Sequence, residues 1–336
     1  MNSKQRQVRR LTRRNALKIL GSAIGLPVSI LGVRNFASSP MLVQWHGEAL
    51  GAEASLSLWH PNPRVARQAV IMIGSELRRL ESIFSLYQTD SEILRLNKEG
   101  KLSLPSREFV EVLDVSAKIY NVSDRAFDPT IQPLWDLYSK HFSAERSNNA
   151  TLETERIVAA CKLVSFAEVE VGSQAINFSR KGMALSLNGI AQGYITDYIT
   201  DLLRNEGFDN AMVEMGETRA LGAAPDGQPF IVNLMNPIQP SLIDRSVSLT
   251  NEALSVSGGY GMLFSERGAH HIFDPLTGNS ANRLLDVSVI APSAVIADGL
   301  STAIYVAGEQ AAKNIIGSYP SARATLTRVD GSTIQL

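Results

Sequence analysis

The chain of 336 residues is 44% hydrophobic and 19% charged, a globular composition with enough apolar material for one large core or two modest ones. Its net charge of -1 conceals an asymmetry, because the first 39 residues hold eight basic side chains and no acidic one, which leaves 24 basic against 33 acidic in the rest. That body, at about -9, has no basic face for nucleic acid, and the single cysteine, Cys161, excludes an internal disulfide, a multi-cysteine zinc site and a lipid-modified N-terminal cysteine.

In the basic leader, Thr12-Arg13-Arg14-Asn15-Ala16-Leu17-Lys18 sets paired arginines before a lysine. An uncharged run from Ile19 to Val33 follows, diluted by Gly21, Gly25, Pro27 and Gly32. This resembles a twin-arginine export signal. The run is short for a membrane span, which needs about 20 apolar residues; an uncleaved tether is the competing reading. The expected division is an export signal over 1–39, read by the twin-arginine translocation machinery, and one functional domain over 40–336, located in the periplasm.

Val43 to Trp59 predicts two short strands around Gly47 and Gly51. Asn62-Pro63 opens a helix whose stripe is Ala66, Ala69, Val70, Ile73, Leu77, Leu80 and Phe84. A loop from Phe84 enters a short helix capped by Ser91, and Ser106 starts another with Phe109, Leu113 and Ala117 inward. Ala126-Phe127-Asp128-Pro129-Thr130 reads as a turn, Pro133 to Tyr138 as the next helix, and Ser143 to Glu155 as a polar surface excursion. Val169 to Phe178 suggests a hairpin. Ala184 to Tyr194 reads as a strand passing through Asn188-Gly189 into a helix that stops at Gly207, an entry able to present backbone amides to phosphate. Strands follow at 211–214, 230–234, 246–249 and 254–256, and the chain ends in a hairpin about Asp330-Gly331. Mixed order without regular βαβ alternation predicts an α+β fold.

The richest stretch is His270 to Val306. His270-His271-Ile272-Phe273-Asp274-Pro275 reads as a strand end meeting a turn, and alternation along the strand separates His270 from the site of His271. Asp298 and Thr302 lie i and i+4 on one helical face, offering the hard oxygens that Mg²⁺ accepts when it shares a phosphate substrate. On spacing alone the commoner reading is that Asp298 caps or solvates a buried helix and Thr302 bonds its own backbone.

The order of the blocks outweighs that. Phe84-Ser85-x-Tyr87 with Ser91-Glu92 and Asn97, then Ala126-Phe127-Asp128-Pro129-Thr130, Asn188-Gly189-Ile190-Ala191-Gln192-Gly193-Tyr194, Ser257-Gly258-Gly259-Tyr260, His271-Ile272-Phe273-Asp274-Pro275-x-Thr277-Gly278 and Ala297-Asp298-x3-Thr302-Ala303 resemble the ApbE family of FAD:protein FMN transferases. The resemblance implies mixed sheets with flanking helices, in two α+β lobes around a central flavin cleft. It implies that FMN moves from FAD to a serine or threonine of a target protein, with Mg²⁺, releasing AMP. By matching positions, Asp298, Thr302 and the Gly189 carbonyl would ligate Mg²⁺. Leu50, Tyr87, Ala126, Phe127, Asp128, Ser186, Gln192 and Ile272 would contact FAD, and His271 and Asp274 would lie near the reacting phosphate. For His271, proton transfer and a structural hydrogen bond both stay open.

The chain departs from the family pattern at Leu50 (usually Met), Ser186 (Asp), Gln192 (Lys or Glu), Gly259 (often Asp) and Leu276 (Arg). These changes remove charge from one pocket, so a non-catalytic FAD carrier and an FAD pyrophosphatase stand as alternatives. The leader makes the chain similar to the ApbE-related, NosX-like accessory proteins of nitrous oxide respiration, which implies a membrane-bound, NosR-like electron-transfer flavoprotein as target.

Overall fold

The structure, a computed structural model, describes residues 40–144, 152–239 and 241–336; the expected export signal and most of the expected polar excursion lie outside them. In chain order the strands are β1 (Met41–Ala49), β2 (Ala52–His60), β3 (Lys101–Ser103), β4 (Val169–Val171), β5 (Ala175–Phe178), β6 (Asn210–Glu214), β7 (Thr218–Leu221), β8 (Phe230–Met235), β9 (Ile243–Leu249), β10 (Ala253–Gly258), β11 (Leu284–Ala291), β12 (Arg323–Arg328) and β13 (Thr333–Gln335). The helices are α1 (Pro63–Phe84), α2 (Glu92–Glu99), α3 (Arg107–Val122), α4 (Gln132–Ala144), α5 (Thr154–Cys161), α6 (Ala191–Asn205), α7 (Ala294–Ala307) and α8 (Glu309–Gly317).

Eight strands form one sheet in the order β1-β2-β6-β7-β10-β11-β12-β13; β3-β5-β4 and β8-β9 make two small ones. The α+β expectation holds, but the sheets are not mixed: every pairing among the described residues is antiparallel, because consecutive strands are joined by hairpins or by helices that return to the same side.

Local chemistry sets the helix ends. Asn62 Oδ1 accepts from the Arg64 amide at 3.0 Å with Pro63 at the first helical position, Ser91 Oγ accepts from Leu94, and Ser106 Oγ from Phe109. The α1 stripe, Ala66 to Phe84, packs with Phe109, Leu113 and Ile195 against Leu56, Leu58 and Val213 on one face of the large sheet. A second core joins Leu300 and Ile304 of α7 and Ile315 of α8 to Val287, Val289 and Leu326. On the opposite face the β8-β9 hairpin covers the middle of the sheet, through Phe230, Val232 and Leu249 against Met212, Ala220 and Leu254. The part it leaves uncovered forms one wall of the cleft.

Three local expectations are corrected. Gly47 does not break a strand; it sits inside β1, where a side chain would collide with the Trp45 ring folded over it. Residues 184–187 are extended but unpaired as a strand, because the Asn97 side chain clamps both backbone groups of Leu185 (2.7 and 2.9 Å) and the Ser186 amide donates to Pro129 O. His270 to Phe273 make only isolated bridges, Leu263 with His270 and Phe273 with Ser280, since the turns at Gly268 and Gly278 cut the pairing short.

Candidate active site

Helix α7 carries the pair Asp298 and Thr302, and helix α6 fixes where it starts. Ser293 makes no side-chain cap of its own. Instead Asp197 of α6 accepts from the Ala294 amide (2.7 Å), the Val295 amide (2.9 Å) and Ser293 Oγ (2.8 Å), while Arg219 binds it at 2.6 Å. A carboxylate supplied by a neighbouring helix thus satisfies the orphan amides and the positive dipole end of α7. The two helices meet at Gly193, where any side chain would strike the Ala294 carbonyl and the Val295 backbone. That closeness lets the Gly193 amide donate to Asp298 Oδ2 at 3.0 Å. Asp298 is 3% exposed, a carboxylate held at the N-terminal end of α6, which the helix dipole favours.

One turn on, Thr302 faces Gly189. A Cβ built on Gly189 would lie 3.1 Å from Thr302 Oγ1 and 3.5 Å from the Phe127 ring, so glycine keeps room for backbone, hydroxyl and ring to share one corner. Phe127 arrives there on a tight turn after α3, with Asp124 and Arg125 both at positive φ (48° and 71°) and Ser123 Oγ accepting from the Phe127 amide. Asp128 lines the cleft, but its carboxylate faces the protein. Oδ1 accepts from the Thr130 amide and hydroxyl, Oδ2 from the Phe166 amide, and burial lifts its pKa against these bonds. The expected flavin contact from Asp128 therefore falls to its remaining atoms. Ser186 and Gln192 also line the cleft, and the Gln192 amide lies flat on Gly216, where it occupies the space a side chain would take.

The two histidines separate as alternation predicts. Buried His270 accepts from the Ile272 amide at Nδ1 and donates from Nε2 to Ala281 O at 2.8 Å, and burial holds its pKa below 6.5. His271 lines the cleft with Ile272, and its Nδ1 lies 3.2 Å from the carbonyl of Met262. A carbonyl only accepts, so Nδ1 carries a hydrogen toward it, and in the neutral ring Nε2 is the nitrogen able to take a proton. Asp274 corrects the expectation made for it. It is not among the cleft-lining residues; its Oδ1 accepts from the Leu276 amide, its Oδ2 lies 3.7 Å from Arg283, and its backbone closes the turn to Gly278. Gly259 is also explained, since a side chain there would meet the His270 ring and the Tyr305 hydroxyl, which accepts from the Gly259 amide at 3.0 Å.

These pieces open into a cleft of about 850 Å³. Gly189, Asp298, Thr302, Ala126, Phe127, Asp128, Ser186, Gln192, His271 and Ile272 all line it. Leu50 and Tyr87 do not: Leu50 is buried beside α1 with its amide on Glu81, and Tyr87 is 63% exposed next to Gly51. Sequence reasoning missed the opposite wall, formed by Gln44 and His46 of β1, Ser55, Ser57 and Trp59 of β2, and Glu214 of β6. Burial raises the Glu214 pKa, and the Ser55 hydroxyl donates to its carboxylate. The alternate polar positions of β1 and β2 were the signal that could have found this wall.

Among the described residues no three His, Cys, Asp or Glu side chains gather as a metal cage. A carboxylate, a hydroxyl and the backbone of Gly189 are hard oxygen donors too few to enclose an ion. They suit Mg²⁺, which keeps waters and completes its shell with substrate phosphate. A cleft of this size, with hard oxygens and a helix start in one corner and aromatic and polar walls beyond, has the room and the donors for an extended ligand.

The ApbE family profile matches residues 50–326, and the chain belongs to the ApbE family. It is 26% identical over 275 residues to the FAD:protein FMN transferase of Haemophilus influenzae, covering 78% of this chain and 79% of that one. It is 29% identical over 245 residues to the enzyme of that name from Vibrio cholerae, covering 70% and 72%. Among solved structures it shares the fold of the flavin transferase ApbE from Vibrio cholerae (TM-score 0.75, 24% identity, 88% and 97% covered) and of the ApbE protein from Thermotoga maritima (TM-score 0.76, 24% identity, 88% and 97% covered).

Proposed function

We propose that the protein transfers FMN from FAD to a serine or threonine hydroxyl of an acceptor protein, with release of AMP. One observation carries the reading: in a chain of the ApbE family, whose curated relatives are named for this transfer, Gly189, Asp298, Thr302, His271 and the Ala126–Asp128 loop open into one cleft. The acceptor oxygen forms a bond to the FMN-side phosphorus, the bond from that phosphorus to the AMP oxygen breaks, and the hydroxyl proton goes to a base. His271 fits that base, because its Nδ1 is committed to Met262 O and its Nε2 holds the lone pair. Asp298, Thr302 and the Gly189 carbonyl would hold Mg²⁺, which supplies charge neutralisation at the pyrophosphate. Ala126, Phe127, Ser186, Gln192 and Ile272 hold the nucleotide.

The paired arginines Arg13-Arg14 support export by the twin-arginine route and a periplasmic protein. No helix of the described residues is long and apolar enough to cross a membrane. The same leader supports a membrane-bound, NosR-like electron-transfer flavoprotein as the acceptor.

Incubation with FAD, Mg²⁺ and that acceptor tests the function. In-gel flavin fluorescence on the acceptor together with free AMP is the expected result. FMN and AMP free in solution would instead make the protein a pyrophosphatase, and bound FAD with no product would make it a carrier.

A further inference from the structure

Four hydroxyls back the corner that holds Asp298 and Thr302. Ser257 Oγ lies 3.1 Å from Thr302 Oγ1 and 2.8 Å from Ser301 Oγ, Ser301 Oγ lies 3.0 Å from Ser255 Oγ, and Ser301 Oγ donates at 2.9 Å to the backbone carbonyl of Asp298. Ser255, Ser257 and Ser301 are all buried, on β10 and α7.

Each of these hydroxyls has one hydrogen and two lone pairs, and the chain ends on a carbonyl that can only accept. This fixes the direction of every link. Ser301 spends its hydrogen on Asp298 O, so it accepts from both Ser255 and Ser257. Ser257 spends its hydrogen on Ser301, so toward Thr302 it can only accept. Thr302 therefore donates its hydrogen to Ser257, away from Gly189, and the lone pairs of Oγ1 are left for whatever occupies the corner.

We infer that Ser257 and Ser301 are positioning residues: through a one-way hydrogen-bond chain running Thr302 to Ser257 to Ser301 to the Asp298 carbonyl, they hold Thr302 Oγ1 as a preoriented oxygen ligand for a divalent cation. The inference rests on the reading that Asp298 and Thr302 hold that cation. Without Ser257 the Thr302 hydrogen is released to turn toward the cation, and the lone pairs lose their fixed direction. The same chain ties both ligands together, since it starts on the hydroxyl of one and ends on the backbone of the other. Partners in this second layer of a metal site typically change affinity by about 10- to 100-fold when removed.

The test titrates Mn²⁺, read by the EPR signal of the free ion, and Mg²⁺ by competition, into the full chain saturated with FAD, whose diphosphate completes the cation's shell. Ser257→Ala and Ser301→Ala are compared with wild type, with melting temperature and metal-free FAD binding measured alongside. The expected result is about a 10-fold loss of cation affinity in both variants, with metal-free FAD binding unchanged and affinity recovered in Ser257→Thr, which restores the acceptor. Ser255→Ala, which removes a donor to Ser301 off the path to Thr302, is expected to change affinity less than threefold. Should Ser257→Ala fold poorly, Ser301→Ala carries the comparison, because alanine suits the helix. Wild-type cation affinity in a folded Ser257→Ala or Ser301→Ala protein would overturn the inference. Absence of cation binding by wild type would instead overturn the metal reading on which it rests.

Discussion

At the scale of single residues, Asp298 joins burial to a task. Its Oδ2 accepts from the Gly193 amide while the side chain stays in the cleft wall, so Asp298→Asn keeps the shape and removes the charge. Loss of the carboxylate that would hold the charge-neutralising cation is expected to lower turnover by about 100-fold or more, with little change in melting temperature; initial rates of AMP release at saturating FAD check it. His270 gives the opposite kind of expectation, since it acts on stability alone. Burial holds its folded pKa below 6.5, so below that pH the unfolded chain binds a proton that the native one refuses. Its contribution to stability is therefore full above pH 6.5 and declines as pH falls toward the folded pKa. Denaturant melts at pH 7.5 and 5.5 are expected to show a smaller acid loss in His270→Asn than in wild type; equal losses would contradict the neutral assignment. Individual residues were the least legible level of the sequence. Asp274 was expected beside the reacting phosphate and Asp128 on FAD, yet each carboxylate bonds its own turn, because an aspartate before proline readily accepts from amides two residues on, and Asp128 also takes the distant Phe166 amide.

At the scale of elements, the functional corner depends on how α6 and α7 meet. Asp197 is the joint: it caps α7 from α6 and neutralises Arg219, whose side chain is only 11% exposed. Asp197→Ala removes the cap and leaves a buried cation with only the longer contact to Asp201 at 3.5 Å, an expected loss of about 3 kcal/mol, measurable by denaturant unfolding. Because α7 is then free to shift, cation affinity is expected to fall with it, whereas Asp201→Ala, at an exposed partner of the same arginine, is expected to leave both within error. The helices themselves were readable: the α1 stripe and the Ser91 and Ser106 caps stand where their periodicity and cap chemistry put them. Asp197 was invisible, since the groups it caps are about a hundred positions away, Arg219 is 22 away, and nothing local distinguishes it from a solvated helical aspartate. The extended run at 184–187 misled for a related reason: its backbone is satisfied by the distant Asn97 amide where a strand ladder would have been expected.

At the scale of the whole molecule, the large antiparallel sheet uses its two faces differently. One is buried under α1, α3 and α6, and the other is only partly roofed by the β8-β9 hairpin, so the uncovered strands become a cleft wall opposite the α7 corner. The mixed order of strands and helices was legible in the sequence and gave the α+β class, while the short β3 and β7 and helix α8 were not among the expected elements. The polar wall of His46, Ser55 and Glu214 was not, because it exists only once β1, β2 and β6 lie side by side in register, His46 beside Ser55 and Ser55 beside Glu214. The central claim is that one cation, gripped by Asp298, Thr302 and Gly189, holds the pyrophosphate of FAD beside His271. A crystal structure of the protein with FAD and Mg²⁺ measures this directly. The cation is expected within coordination distance of Asp298, Thr302 and the Gly189 carbonyl, about 2.0–2.1 Å for Mg²⁺, with the diphosphate on it and His271 on the side from which an acceptor hydroxyl enters. A diphosphate bound elsewhere, with Asp298 and Thr302 contacting neither cation nor phosphate, would contradict it.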